Sequence, residues 1–567
     1  MNNNWVETTL AEMSLHEKAG QVFVIPFWFI NKNNISHALD LIGKYNIGGR
    51  FALSEKPEDL IESNEILQKE AKIPLLIGSD LESGPGHTLI KCQKFPYQMC
   101  RAACGDEEIE YEIGKITATQ GSALGINFTA SPVLDANINR LCPDVNIRAY
   151  STNPDKIISM SLAYIKGLQE NGMLAQAKHF PGNGATSVDQ HIAPVPIDVN
   201  REDMFDIFLR PYKEAIEKSD LASVMIGHIE VPSLTDERNE KTGRCIVSSL
   251  SHKILKNILR DELGFKGFSM SDALNMGGIN NDFTASEMAV KSIAAGMDSL
   301  LAFNAEEINT LHSGIVRAVE EGVLPEAELD RAVRNVLTAK ARLKLHEGKS
   351  RPIKIENIDK IFLNSDKYQK INKDVCEKGI TVITNNKNLI PLCVKGKKVL
   401  SLSSYGPDRV VLEARGDTPC KNYVPEFLRK EGAVVSDIEV LAQMTAEQAN
   451  ELANSLANAE IIIFNMFHLP THAVGYNLFP NHRVSGLFYH GLFNKKIPIV
   501  VISFGDPFII DHCPSTPVYI CAYNNSEYSQ KAAVDVCLGK LSSKGKSPVG
   551  FKYYFEFGDS VPCNAVK

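Results

Sequence analysis

At 567 residues, with 44% apolar and 23% charged side chains, the chain is long enough for two or more domains and has an ordinary globular balance. The net charge of −8 is mild for this length and gives no reason to expect a nucleic acid or an anionic membrane surface as partner. No apolar run approaches the roughly 20 residues of a membrane-spanning helix, and the N-terminus lacks a basic segment followed by an apolar core. The twelve cysteines are scattered, and the one close pair, Cys100 and Cys104, lacks C-x-x-C spacing. They read as buried, reduced thiols, so the expectation is a cytoplasmic protein.

The segment Thr8 to Lys18 reads as short helices. A repeating alternation follows. Apolar, β-rich runs occur at 20–27, 47–53, 74–80, 127–135, 173–180, 223–231, 267–275 and 298–303. Helical patterns such as 154–171, 204–218 and 250–263 separate them. Eight runs with no polar face, alternating with helices, predict a parallel (β/α)8 barrel over residues 1–345, closed by a helix at 326–344. A polar segment from 346 reads as a linker to about residue 372. A second alternation then runs through 379–384, 398–405, 432–438, 460–467, 498–505 and 518–523, with helices such as 445–459 and 528–538 between. It predicts a doubly wound α/β sandwich domain over 373–567. No G-x-G-x-x-G follows its first strand and no G-x-x-x-x-G-K-[ST] occurs, so no nucleotide cofactor is expected.

The chemistry sits where the runs end. Run three ends in Asp80-Leu81-Glu82-Ser83-Gly84-Pro85-Gly86, run four at Asp135, run five in Lys178-His179, run six near His228 and Glu230, and run seven in Ser271-Asp272. Barrel enzymes gather catalytic groups at the carboxyl ends of their strands, so these residues are expected to converge on one mouth. After Lys178-His179 comes the loop Phe180-Pro181-Gly182-Asn183-Gly184, followed by Asp189-Gln190-His191. An Asp two residues from a His on a glycine-rich loop can orient the imidazole and hold its charge, a general acid/base arrangement. Each residue also has a plainer reading. Asp272 is a good N-cap for a following helix, Asp135 can hold loops together, His228 can be a satisfied core histidine, and Glu82 can merely shape its turn. A metal at Asp189 and His191 would need further ligands at matching spacing, and none is evident.

These motifs resemble glycoside hydrolase family 3, in its β-N-acetylglucosaminidase branch. The resemblance rests on Lys178-His179-Phe180-Pro181-Gly182-Asn183-Gly184 with Asp189-x-His191, and on Gly264-Phe265-Lys266-Gly267 leading to Ser271-Asp272 and Met276. It extends to Pro132-Val133-Leu134-Asp135, Arg148-Ala149-Tyr150 and Val224 to Ile229, and into the second domain at 379–392 and 498–538. The resemblance implies a retaining, exo-acting β-glycosidase. Asp272 would be the nucleophile that forms a glycosyl-enzyme. His191 would be the acid/base, held in one tautomer by Asp189. Asp80, Arg148, Lys178 and His179, with Asp135 and His228, would bind the sugar. The implied partner is a small β-linked carbohydrate, with no cofactor and no metal.

Two departures bear on the sugar. The family's Asp-x-Glu-Gly-Gly-Arg reads Asp80-Leu81-Glu82-Ser83-Gly84-Pro85, without the Arg, and the Ser of Arg-Ser-Phe is Ala149. A β-linked sugar other than N-acetylglucosamine therefore stays open. So does phosphorolysis, because a neutral imidazole does not repel a phosphate dianion as a carboxylate would. A non-catalytic sugar-binding protein is the third reading, and the presence of Asp189, His191 and Asp272 argues against it.

Overall fold

The computed structural model describes residues 3–28, 30–31, 33–89, 92, 94–302, 307–348, 366–406, 420–469, 482–551 and 556–566. The chain forms two compact units. One comprises Met1–Phe95, Glu107–Cys142 and Ile157–Ser365, the other Pro96–Asp106, Pro143–Lys156 and Asp366–Lys567.

In the first unit the apolar runs become eight strands: β1 (Phe23–Trp28), β2 (Gly49–Leu53), β3 (Leu76–Ser79), β4 (Phe128–Thr129), β5 (Leu174–Phe180), β6 (Ser223–Ile226), β7 (Phe268–Ala273) and β8 (Ser299–Leu301). All pair in parallel in the order β1-β8-β7-β6-β5-β4-β3-β2 and close into a barrel. Strands with no polar face leave no side for water, so the sheet closes and its outside is covered by helices. Two runs are shorter as strands than as apolar stretches. Beyond β4 the chain continues extended to Asp135, meeting β5 at the Val133–Lys178 bridge and through Gln176 N, which donates to Ser131 O at 3.1 Å. Beyond β6, Ile229–Glu230 leaves the barrel to pair with Val195–Pro196. Phe303, at the end of the eighth run, lies outside the described residues.

The barrel interior is apolar at its amino end. Val24, Leu76, Phe128, Leu174 and Phe268, at or near the starts of their strands, pack with Val336 and Ala339 of the helix Glu326–Arg342 and with Leu345. Asp298, just before β8, accepts hydrogen bonds from Arg260, Arg331, Ser269 N (2.8 Å) and Asn335 Nδ2 (2.9 Å), which ties the same end together. Helix starts are set locally. Ser14 with Glu17 and Thr284 with Glu287 form reciprocal caps that satisfy the otherwise unpaired first-turn N–H groups.

Among the described residues the second unit holds six strands: β9 (Thr381–Asn385), β10 (Lys398–Tyr405), β11 (Val434–Glu439), β12 (Ile461–Phe467), β13 (Ile499–Ser503) and β14 (Val518–Cys521). Their order is β9-β14-β13-β12-β10-β11, parallel throughout except for β9, which runs antiparallel along β14. The sheet is therefore mixed. Its core includes Val382, Ile463, Phe467, Ile502, Phe504 and Ile520. Of the segment read as a linker, residues 349–365 lie outside the described residues, and Asp366–Gly379 is helical. In the His- and aromatic-rich stretch from Phe464 to Tyr489, residues 470–481 also lie outside them.

Candidate active site

The carboxyl ends of β3 to β7 carry the polar residues the sequence singled out. Lys178, near the end of β5, is the hub on one side. Its ammonium reaches Asp80 Oδ1 at 2.6 Å and Glu82 Oε1 at 2.8 Å. Asp80 and Glu82 are two residues apart on extended chain, so both can face the same partner. Glu82 is buried, whereas the Asp80 side chain keeps 28% of its exposure. Sequence reasoning gives Glu82 only a turn-shaping role. The structure makes it half of the carboxylate pair that neutralises a buried ammonium.

The next residue, His179, is fixed from β4. Its Nδ1 lies 2.7 Å from Asp135 Oδ2, and its backbone N–H donates to the same oxygen at 3.2 Å. Asp135 Oδ1 accepts from Asn183 N at 2.7 Å. Asp135 is completely buried, and both its oxygens are spent on protein donors, so it anchors the loop that follows β5. That loop can only be made with glycine at two points. A Cβ on Gly184 would sit 1.9 Å from Ala136 O, and Gly182 has φ +133° with Phe208 beside it.

Asp272 lies at the end of β7. Its Oδ1 accepts from Ala273 N at 2.8 Å and its Oδ2 from Gln190 Nε2 at 3.2 Å. Burial alone would raise its pKa. The nearby imidazoles of His179, His228 and His191, with the Ala273 N–H, outweigh that and hold it below the ordinary carboxylate value. Asp272 caps no helix start in the described chain, because the next helix, Gly277–Asn280, has Met276 in that position.

His228, one residue past Gly227 at the end of β6, is fully buried. Its Nε2 is 3.1 Å from Ala273 O and its Nδ1 is 2.8 Å from Ser249 Oγ. A carbonyl only accepts, so Nε2 carries the proton and Nδ1 accepts from the Ser249 hydroxyl. Burial lowers the pKa of this imidazole, against the opposing pull of the Asp272 carboxylate. With both nitrogens engaged by protein atoms, His228 walls Asp272 and does not present a ring nitrogen to the mouth. The sequence offers this position both as a satisfied core histidine and as a sugar ligand, and these contacts favour the first.

Asp189 and His191 lie against one another on the loop after β5. His191 Nδ1 lies 2.7 Å from Asp189 Oδ1, which also accepts the His191 backbone N–H at 2.9 Å. The carboxylate accepts the hydrogen bond of Nδ1–H, so in the neutral ring the lone pair lies on Nε2. Asp189 is buried, while the His191 side chain keeps 27% exposure. Asp80 and His191 are thus the most open of these barrel residues. Arg148 lies in Pro143–Lys156, which groups with the second unit, and there its Nη1 donates to Asp144 Oδ1 at 2.6 Å. Among the described residues no cluster of three or more His, Cys, Asp or Glu is arranged to hold a metal ion. No described helix is long and apolar enough to cross a membrane.

A buried carboxylate kept ionised beside a carboxylate–imidazole pair, at the carboxyl mouth of a (β/α)8 barrel, suits displacement at an electrophilic carbon. Residues 14–339 match the family model described as Glycosyl hydrolase family 3 N terminal domain. The chain belongs to glycoside hydrolase family 3. It is 30% identical over 392 residues to a β-N-acetylglucosaminidase/β-glucosidase of Cellulomonas fimi, covering 68% of either chain. It is 27% identical over 376 residues to β-hexosaminidase A of Pseudoalteromonas piscicida, covering 62% of each. Among solved structures, the β-glucoside phosphorylase BglX bound to 2FGlc superposes with a TM-score of 0.83 at 26% identity, over 96% of both chains. A family 3 β-N-acetylglucosaminidase from Paenibacillus sp. str. FPU-7 has a TM-score of 0.81 at 24% identity, over 98% of this chain and 100% of that one, which establishes a shared fold. As a family 3 member with these relatives, the chain is a β-glycosidase.

Proposed function

We propose that this glycoside hydrolase is a retaining, exo-acting β-N-acetylglucosaminidase. One observation carries the reading: Asp272, ionised at the end of β7, is hydrogen-bonded to the residue that separates Asp189 from His191. Asp272 attacks the anomeric carbon while His191 Nε2 gives a proton to the departing oxygen, and a glycosyl-enzyme forms. His191 then takes a proton from water, which displaces Asp272 with net retention. Asp189 holds the tautomer and stabilises the imidazolium. A histidine does this work without a burial-raised pKa, because its ordinary value already lies near neutrality. Asp80, Lys178 and His179 take the sugar hydroxyls, with Arg148 assigned to the same task on its motif. Asp135 positions His179. The choice of N-acetylglucosamine rests on the Asp189/His191 loop and on the names of the curated relatives.

Phosphorolysis is the second reading, favoured by the imidazole acid/base and by the full-length likeness to a β-glucoside phosphorylase. In that case phosphate replaces water as the acceptor. A panel of nitrophenyl β-glycosides, assayed with and without phosphate, decides between them. Hydrolysis of the N-acetyl-β-glucosaminide, unaffected by phosphate and reduced about 10⁴-fold in Asp272→Asn, is the expected result. Phosphate-stimulated turnover yielding a sugar 1-phosphate supports the second reading. An active Asp272→Asn enzyme overturns both.

A further inference from the structure

Gln190 is the residue between the two members of the Asp189–His191 pair, and its side chain is wholly buried. Its Oε1 accepts the backbone N–H of His228 at 3.0 Å. A backbone N–H can only donate, so that contact fixes the orientation of the carboxamide and leaves the NH₂ group facing Asp272. The Nε2 to Asp272 Oδ2 distance is 3.2 Å. The main chain is held as well. Gly278 N donates to Gln190 O and Gly277 N to His191 O, each at 2.9 Å. Both donors lie just past the end of β7. A Cβ on Gly278 would come within 2.9 Å of Gln190 O, so the approach requires glycine there. The loop bearing the acid/base pair is therefore docked on the turn behind Asp272, with one side chain passing from the loop to the Asp272 carboxylate.

We propose that Gln190 is a positioning residue that holds the Asp272 carboxylate and serves the second half of the reaction more than the first. The proposal rests on the reading of Asp272 as nucleophile. Among the described residues, Asp272 Oδ1 accepts from Ala273 N and Oδ2 from Gln190 Nε2. When the glycosyl-enzyme forms, the carboxylate becomes an ester and its charge is neutralised. When water displaces it, the C–O bond to the sugar breaks, the electron pair returns to the carboxylate, and the water proton goes to His191. A donor on that carboxylate is worth more to the departing anion than to the ester, so it stabilises the deglycosylation transition state over the intermediate. In the first step the same bond is strongest in the ground state and assists little.

The test compares Gln190→Met, which keeps the length and bulk, with Gln190→Glu. The substrate is the 2,4-dinitrophenyl β-glycoside of whichever sugar the nitrophenyl panel identifies, read in the pre-steady state so that the two half-reactions separate. In Gln190→Met, deglycosylation is expected to slow about 10- to 100-fold, with a burst of dinitrophenol, a falling KM and a nearly unchanged first step. In Gln190→Glu, the new carboxyl can hydrogen-bond Asp272 only when protonated, so turnover should recover as the pH falls and disappear as that proton is lost. A residue that merely shaped the loop would slow both steps alike in Gln190→Met and leave the pH profile of Gln190→Glu unchanged. Either finding, or wild-type kinetics in both variants, overturns the proposal. Failure of the underlying reading is seen separately, as turnover by Asp272→Asn.

Discussion

The Asp272 carboxylate illustrates how a single side chain's behaviour is set by its neighbours. Burial pushes its pKa up, and His179 is the largest of the influences that bring it down again, ahead of His228, His191 and the Ala273 N–H. A carboxyl depressed in this way stays ionised well into acid, so the acidic limb of kcat/KM should lie below the ordinary aspartate value of 3.8. Removing an influence that lowers a pKa raises it. His179→Gln should therefore move the acidic limb to higher pH, beyond any change in sugar affinity. The measurement is kcat/KM against pH on an aryl β-glycoside. An unmoved limb would show that His179 does not act on Asp272. The sequence makes Asp272, Asp189 and His191 legible because the last two are neighbours and the first ends an apolar run. It does not reveal that Gln190 reaches across 82 positions to Asp272, or that Ser249 supplies the His228 partner across 21. Such pairings exist only after the barrel closes.

At the scale of elements, strand interiors were easy to read and strand ends less so. Continuous apolar runs fix where β1 to β8 and β9 to β14 lie, since nothing else can fill two buried faces. The runs overstate β4 and β6, where the chain stays extended and apolar after leaving the ladder to carry Asp135 and His228. The antiparallel placement of β9 is also hidden, because strand direction is set by connection geometry and not by composition. Buried ionisable groups at the ends of β12 and β13 carry a pH dependence of their own. His468, just past β12, is buried and its pKa is pushed down from 6.5 to about 3. Asp506, past β13, is raised by burial from 3.8 to about 6, and its backbone N–H donates to His468 O at 2.7 Å. The two act in opposite senses. As the pH falls from 6.5 toward 3 the unfolded chain takes a proton that buried His468 refuses, costing about 1.4 kcal/mol per pH unit. As it falls from 6 toward 3.8 the folded chain takes a proton on Asp506 before the unfolded chain does, which returns a similar amount. The contributions cancel across about pH 4 to 6. His468→Gln should unmask the Asp506 slope, so the variant gains stability relative to the wild type as the pH is lowered from 6 to 4. Chemical denaturation at several pH values checks this, and parallel curves for the two proteins would refute it.

Taken whole, the barrel divides its labour along its axis. The carboxyl ends of its strands hold the ionisable groups, in positions fixed by hydrogen bonds and not by apolar packing. The amino ends hold an apolar cluster closed by the helix Glu326–Arg342 and a buried network centred on Asp298. This division follows from what each end must do. A polar mouth cannot contribute much hydrophobic stabilisation, and its packing has to leave room for a sugar, so the burial that holds the strands together is concentrated at the other end. The arrangement predicts that stability and catalysis can be altered separately. Val336 is 1% exposed and packs in the cluster below the strands. Val336→Ala removes buried methyl groups and should lower the unfolding free energy by about 2 kcal/mol. At temperatures below the transition its kcat and KM should equal those of the wild type, because the mouth's geometry is carried by Lys178, Asp135 and Gln190 and not by this helix. Gln190→Met should change turnover, with a stability loss of about 1–3 kcal/mol from the unpaired His228 N–H. Sites with no shared partners add in their effects, so the double variant should show the summed stability loss and the kinetics of Gln190→Met alone. A kinetic defect in Val336→Ala, measured well below its transition, would mean that the plug at the amino end sets the positions of the catalytic groups.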